Sequence, residues 1–542
     1  MKIRLGLILL MAAAVVTSMA ILVRPQLLSF ALGSSGTLPD GAWLIAGPFS
    51  GNGDNGLYKN YLSAEREDQL RAREGEIAAL SLTGLIRWQT ASPSQNGLID
   101  FAGMWPKASL QSVAYAYAEL ESEQDQLVVA TIGSGTDLQL RLNGEIVYET
   151  RVSRKAELNK DTVVLPLRKG INSVLVKAQR GVSWRFQWSV TFAPGPLFVN
   201  TQETIIPDFR VGEQMSAWGR VEVTNAGARG LPDVIVEILE DDLLTPSRSE
   251  ITSLEPGEVR RIPVWIASKE SVAAGAAPKV RIRVSAGRDE HSFEIKPRVR
   301  AAKTSFVKTY RSTLDGSVQP YSVLLPPSFE EKTTYPLILL LHGSHVTQWG
   351  GNIVAYTPKE WAIQVAVHDR GNNYYRDAGE VDIDEVLREV AKRYRIDPDR
   401  MYLSGHSMGG YGTWFLATRY PDRWAAISPQ TGYTDWFLED PSLRKAGAST
   451  QQMFRTRLLE SWSPIFFAEN LLHVPAYIVH GALDPYLQVE HSRSMTARLQ
   501  ELGYPHSYDE NPEAGHWWGT KPEHQGTDCV DKPEISAFLL KH

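Results

Sequence analysis

Cysteine is nearly missing from this sequence: its 542 residues carry one, Cys529. A single thiol closes no internal disulfide and builds no cysteine zinc cluster, and one so far from the N-terminus cannot carry a lipid behind a leader. Histidine is missing from the front half, because all twelve lie at or beyond His291. A histidine base or metal ligand must therefore come from the back half, and catalysis is expected there. No H-E-x-x-H stands in the chain, and the residues that could ligate (His342, His345, His480 and Asp484) lack a two-plus-one spacing, so no metal is expected. No other cofactor is required. Net positive charge is also lacking: the formal charge is -6 at pH 7, which leaves no general basic field for nucleic acid. Nucleic acid is not an expected partner. Blade-length repeats are absent from the front half, which argues against a β-propeller.

What is present is the composition of a folded chain, 43% hydrophobic and 22% charged, too long for one core at ~100–200 residues per domain. Lys2 and Arg4 precede an uncharged apolar run from Leu5 to Val23 that ends at Arg24-Pro25. A basic start followed by continuous apolarity is an export signal. Ser18-Met19-Ala20 offers a small-x-small cleavage site, yet the run also approaches the ~20 residues that span a bilayer. Residues 1–33 are therefore read as a signal peptide or a signal anchor, and the protein as exported, either secreted or periplasmic, or attached to the membrane by that segment.

Residues 41–196 hold short alternating runs, "LVVATIG" from Leu127, "LQLRLNGEIVYE" from Leu138 and "INSVLVKAQ" from Ile171. Alternation with period two reads as strands, and Asn143-Gly144 between two runs is a hairpin signal because both residues tolerate positive φ. The expectation is a β-sandwich. With "GAWLIAGPF" at Gly41 it resembles the galactose-binding-like jelly rolls fused to secreted hydrolases. That resemblance implies carbohydrate contact through exposed aromatics, for which Trp88, Trp105, Trp184 and Trp188 are the candidates; core packing is the competing role and is favoured. Residues 201–299 carry a second all-β pattern, with "WGRVEVTNAGARGLPDVIVEILE" from Trp218, "VRRIPVWIA" from Val259 and "KVRIRVSAG" from Lys279. It resembles an immunoglobulin-like module.

From residue 303 to 542 the character changes. "YPLILLLHGS" from Tyr335, "WAIQVAVHDRG" from Trp361, "RMYLSGHS" from Arg400, "RWAAISPQ" from Arg423 and "VPAYIVHGALD" from Val474 show little alternation. Continuous apolarity suits strands buried on both faces of a parallel sheet. Helical patterns lie between them, in "DIDEVLREVAKRY", "GGYGTWFLATRYP" and "VEHSRSMTARLQELG". The expected architecture is multidomain: two all-β sandwiches, then a doubly wound, mostly parallel α/β domain.

Within that domain Gly405-His406-Ser407-Met408-Gly409 is a G-x-S-x-G elbow between an apolar strand and a helix pattern. So tight a turn leaves no room for side chains two residues before and after the serine, and it holds the hydroxyl clear of the sheet. A serine hydroxyl needs a base, and the base a third group to fix its tautomer. Chain order serine, acid, histidine points to Asp484, just past the strand of "IVHGALD", and to His516 in the glycine-flanked loop of "SYDENPEAGHWWG". Asp435 is the weaker candidate for the acid, His506 and His524 for the base, while His406 is read as structural or binding. For the developing oxyanion the donors are the N–H of Met408 and that of Ser344, with Gly343 the runner-up.

"HGS" after an apolar strand, "RIDPDRMYLSGHSMGGYGTWFLATRYPDRWAAISP", "HGALDPYL" and "AGHWWG" together resemble the α/β-hydrolase superfamily. The branch is that of prolyl oligopeptidase-like peptidases and of polyhydroxybutyrate depolymerase and feruloyl esterase-like carboxylesterases, and the resemblance covers residues 303–542. It implies Ser407 as nucleophile, Asp484 as acid and His516 as base. The oligopeptidases carry a tyrosine after the nucleophile and a propeller that limits access; here Met408 and β-rich modules stand instead. An ester, small or polymeric, is the expected substrate, with a peptide as the alternative and a non-catalytic surface-binding protein as the third reading. Trp436, Phe437, Phe454, Trp462 and Phe466 between Thr434 and Phe467 could shape an acyl pocket or pack as core, and Trp517 and Trp518 flank the base.

Overall fold

The computed structural model describes residues 29–542 apart from 32–42, 52, 64–69, 82–83, 153, 181–185, 194, 302, 345, 347–350, 352, 440–448 and 520–527. The segment read as an export signal, up to residue 28, and Trp184, His345 and His524 lie outside the described residues.

Up to residue 300 the described chain is mostly β. A seven-stranded and a four-stranded sheet share one core, in which Ile45, Ala116, Leu140 and Val176 of the first meet Val128, Leu165 and Val190 of the second. Asn143 and Gly144 turn between strands Asp137–Leu142 and Glu145–Thr150 with φ of 51° and 87°, as the right-handed twist of a two-residue hairpin demands. Trp88 and Trp188 are buried in this region and Trp105 packs against its core. A three-stranded and a four-stranded sheet follow, sharing a core that includes Val221, Val236, Val264 and Val284.

The C-terminal region is built on one eight-stranded sheet, whose strands are labelled here in chain order: β1 Phe306–Arg311, β2 Val318–Leu324, β3 Tyr335–Leu341, β4 Ile363–Val367, β5 Ile396–His406, β6 Ala426–Gln430, β7 Ala476–Gly481 and β8 His506–Asn511. Their spatial order is 1-2-4-3-5-6-7-8. β2 pairs antiparallel with β1 and β4, and every other pairing is parallel. Every residue of β3, β4 and β6 is buried, which is why these runs do not alternate.

Helices cover both faces. Leu337, Leu339 and Leu341 of β3 point to the side covered by α1 (Ala378–Arg393), α2 (Met408–Arg419) and α4 (Glu490–Leu502), through Val386, Trp414 and Leu499. Ile338 and Leu340 point to the other side and meet Ile535 and Leu539 of α5 (Pro533–Lys541). A fifth helix, α3 (Thr450–Trp462), precedes β7. α4 stops at Gly503, whose φ of 69° is the left-handed cap that glycine accepts without a Cβ clash.

The preceding β region docks on the β1–β2 hairpin. Asp208 accepts from the N–H of Val307 at 2.8 Å, Thr309 Oγ1 donates to the Trp218 carbonyl at 2.5 Å, and Arg220 reaches the Val318 carbonyl. β2, β4 and β3 separate that edge from β5.

Candidate active site

The C-terminal ends of β3, β5 and β7 and the loop after β8 bring the expected residues to one rim. Leu341 pairs with Gly405 and His406 with Gln430, so the turn after β5 lies between the loop after β3 and the end of β6. Ser407 is the turn residue. Its N–H donates to the Gln430 carbonyl at 2.9 Å, and its φ of 60° with ψ of -117° is unusual for a residue with a side chain. Such backbone costs on the order of 1–3 kcal/mol and persists only where surroundings impose it. The surroundings are close main chain: a Cβ on Gly405 would come within 2.5 Å of the Gly409 carbonyl oxygen, and one on Gly409 would collide with the Leu341 carbonyl. Both glycines of the elbow are steric necessities. α2 begins at Met408, so its N–H is among the donors a helix N-terminus leaves without an intrahelical partner. Gly343 lies against the elbow, since a Cβ there would sit 3.4 Å from Ser407 Cβ, and Ser344 follows it, half-buried.

Asp484 stands three residues beyond β7. Its Oδ1 accepts from the N–H groups of Tyr486 at 2.8 Å and Leu487 at 3.0 Å, and its Oδ2 accepts from His516 Nδ1 at 2.6 Å. Burial pushes the carboxyl up, but the hydrogen bonds from His480 and His516 outweigh it and hold the group below the ordinary carboxylate range. The carboxylate is thus ionised and can only accept, so Nδ1 of His516 is the donor in this contact. Neither Nε2 nor Ser407 Oγ has a hydrogen-bond partner among the described residues.

The loop bearing His516 is fastened to the loop bearing Asp484. Leu483 N–H donates to the Ala514 carbonyl at 2.9 Å, Ala482 N–H to the Asn511 carbonyl at 2.8 Å, and a side chain on Gly481 would collide with the Gly515 carbonyl. His406 adds a third link. Its Nε2–H donates to the main-chain oxygen of His516 at 2.9 Å, and its ring lies 3.8 Å from that of Trp517 and 4.8 Å from that of His516. Burial, then the neighbouring His516, press the His406 pKa well below its usual value, so it is a neutral brace.

The competing residues are engaged elsewhere. Asp435 accepts from the N–H of Phe437 at 2.9 Å, and His506 Nδ1 lies 2.8 Å from the Tyr504 carbonyl in β8. His342 contacts the carbonyls of Gly343 and His368, and His480 contacts Ser492 and Leu487. Of the aromatics, Phe437 is buried, Trp436 and Trp462 pack against the sheet core, and Phe454 and Phe466 are exposed. Trp518 packs beside Ile338, while Trp517 and Tyr486 are each about half-exposed and meet the His516 ring edge-on. Sequence reasoning read His406 as structural or binding without finding the carbonyl it braces, and it missed the contact of His480 with Asp484; the spacing H-G-x-x-D was the available signal for the second.

A profile of the prolyl oligopeptidase family matches residues 365–541, a span that contains Ser407, Asp484 and His516. An uncharacterized secreted protein of Arthroderma benhamiae is 35% identical over 125 residues, which is 21% of this chain and 13% of that protein. An uncharacterized peptidase of Bacillus subtilis, YuxL, is 25% identical over 375 residues, 59% of this chain and 52% of that one. Dipeptidyl-peptidase 5 of Porphyromonas gingivalis is 24% identical over 248 residues, 39% and 34% of the two. The chain thus spans about half or less of the length of these relatives. Among solved structures a thermostable esterase aligns at a TM-score of 0.34 and 18% identity over 62% of this chain and 99% of that one. A ferulic acid esterase aligns at 0.34 and 19% over 44% and 97%. Sheet order and elbow define the class of the C-terminal region, which has the α/β-hydrolase fold, and within it residues 365–541 match the prolyl oligopeptidase family.

Proposed function

We propose that the protein is an exported carboxylesterase that works through an acyl-enzyme, with Ser407 as nucleophile, His516 as base and Asp484 as the acid that orients it. The observation that carries this reading is the 2.6 Å contact of His516 Nδ1 with Asp484, fastened beside a strained serine. Ser407 Oγ attacks the acyl carbon as its proton passes to Nε2. The oxyanion is met by the N–H of Met408 and that of Ser344 or Gly343. Collapse expels the alcohol, which takes the proton from Nε2, and water then repeats the sequence on the acyl-enzyme.

Preference for an ester rests on Met408 in place of tyrosine and on a front half made of paired sheets rather than blades. The second reading is a serine peptidase, which the match to a peptidase family favours. The front half is read as two β-sandwich modules, galactose-binding-like over 41–196 and immunoglobulin-like over 201–299, with 303–542 catalytic. Because Trp88 and Trp188 are buried, any sugar contact of the first module falls to other residues. Export rests on the basic and apolar residues before Pro25, with cleavage or anchoring both open.

Purified protein offered p-nitrophenyl acetate, a Gly-Pro p-nitroanilide and a fluorophosphonate probe tests these readings together. Ester turnover with Ser407 labelled supports the first and amide turnover the second. No turnover and no labelling would favour a protein that only binds.

A further inference from the structure

His480 is fully buried at the end of β7, four residues before Asp484, and takes no part in the chemistry above. Its Nδ1 lies 2.7 Å from Ser492 Oγ on α4, and its Nε2 faces two acceptors, the Leu487 carbonyl at 3.2 Å and Asp484 Oδ2 at 3.5 Å. A carbonyl and a carboxylate only accept, so the ring proton belongs on Nε2. Nδ1 must then accept, and the Ser492 hydroxyl is the donor that fixes this tautomer.

We propose that His480, locked by Ser492, is a positioning residue for the reaction: it shares Asp484 Oδ2 with His516 and thereby sets how strongly the carboxylate holds the imidazolium. The inference rests on the triad reading above. Asp484 accepts from two main-chain N–H groups on one oxygen and from two imidazoles on the other. Each donor disperses part of its charge. Without His480 that charge falls more fully on His516, its protonated form is favoured, and the acid limb of kcat/KM moves to higher pH. The carboxylate also loses a restraint on its orientation, which lowers kcat and leaves KM unchanged.

Other ionisable groups surround the pair. They are His406 at the end of β5, Tyr433 after β6, Tyr486 in the Asp484 loop and Glu510 on β8. Burial keeps His406 neutral and raises the Tyr433 pKa, while the hydrogen bond from Arg493, with that from Tyr508, outweighs burial and leaves Glu510 with a lowered one.

His480→Gln and His480→Asn separate the two ends of the ring. Glutamine places an amide N–H where Nε2 stood and keeps the donor to Asp484; asparagine reaches the Nδ1 position, keeps Ser492 and loses that donor. In pH profiles on p-nitrophenyl acetate, H480Q is expected to follow the unsubstituted protein. H480N is expected to shift the acid limb up by about half a pH unit and to lower kcat roughly 10-fold at unchanged KM. Should H480N not fold, Ser492→Ala, which frees the tautomer, is expected to shift the limb in the same direction by less. An unmoved limb in H480N, or in S492A where that stands in, overturns the proposal even if Ser407→Ala abolishes turnover and labelling. Turnover that survives S407A overturns the triad reading and this inference with it.

Discussion

Glu203 and Glu222 of the middle β region are as buried as Asp484, yet they are answered by full positive charges. Lys160 Nζ lies 2.7 Å from Glu203 and Arg220 Nη2 at 3.3 Å, while Arg261 Nε reaches Glu222 at 2.9 Å. Thr162 and Asn200 also bond to Glu222. Lys160 belongs to the first β region and Arg220 extends to Val318 of the catalytic sheet, so this cluster is where three parts of the chain meet. Asp484 is answered by two imidazoles and two main-chain N–H groups instead. Permanent cations neutralise a buried carboxylate for good, which suits a joint. Neutral donors leave it a full charge while the proton on a neighbouring ring remains free to come and go, which suits chemistry. The twelve histidines are confined to the back of the chain in keeping with that division.

Breaking the chemical side gives the largest effect. S407A removes the proposed nucleophile and should lower kcat/KM on an activated ester by about 10⁴- to 10⁶-fold. Its thermal midpoint should stay where it was, since alanine inherits the same φ. Calorimetry beside the assay checks both; a loss of midpoint as large as the loss of rate would make Ser407 a structural residue. D484N comes next, at about 10³- to 10⁴-fold, because an amide in place of the carboxylate offers His516 Nδ1 no charge and admits the wrong tautomer. Steady-state rates of D484N at several pH values are the measurement, and a loss under 10-fold would remove Asp484 from its role.

Breaking the joint should do the reverse. R220M takes one cation from Glu203 but leaves Lys160 in place, so the cost falls below the ~3–5 kcal/mol of a buried pair left wholly unanswered, at about 2 kcal/mol. Burial, followed by the nearby Arg261, presses the Arg220 pKa down to about 10, which marks how far this guanidinium is withdrawn from water. Chemical denaturation should register the loss while kcat on a small ester stays within about two-fold. A large fall in kcat without loss of stability would mean that the β region conditions the site.

The elbow was legible in the sequence because its demand is local: Gly405 and Gly409 are excluded volume within a few residues of chain. The strands of β3, β4 and β6 were legible because burial on both faces writes an unbroken apolar run. Asp484 and His516 were singled out by order alone, each following a strand end that the pattern marks, and the fold brings the two side chains within 2.6 Å of each other. The brace was not legible, because His406 meets the His516 carbonyl only after the two loops are zipped through Leu483 and Ala514. Nor was the joint, since Lys160, Glu203, Arg220 and Arg261 read along the chain as ordinary strand polarity. His480 and Asp484 were weighed as a ligand pair and set aside on spacing; that Ser492 and Leu487 occupy the ring nitrogens is visible only in the fold.

The smallest effect is a slope, and it sharpens the contrast between the two kinds of buried group. Asp484 has a folded-state pKa depressed below its ordinary value, so it stays ionised until the pH falls through that lower value. The stability it contributes is present above the unfolded value and lost only below the folded one. His406 has a depressed pKa as well and, being a base, remains neutral through the same range. Neither group then adds an ionisation of its own near neutral pH, which leaves the proposed base as the group the rate profile reads. The acid limb of log kcat/KM against pH should fall with a slope of one and level off only as a single ionisation requires. A slope of two would mean that His406 or Asp484 titrates together with the base, and that the buried groups at this rim are coupled charges like those of the joint.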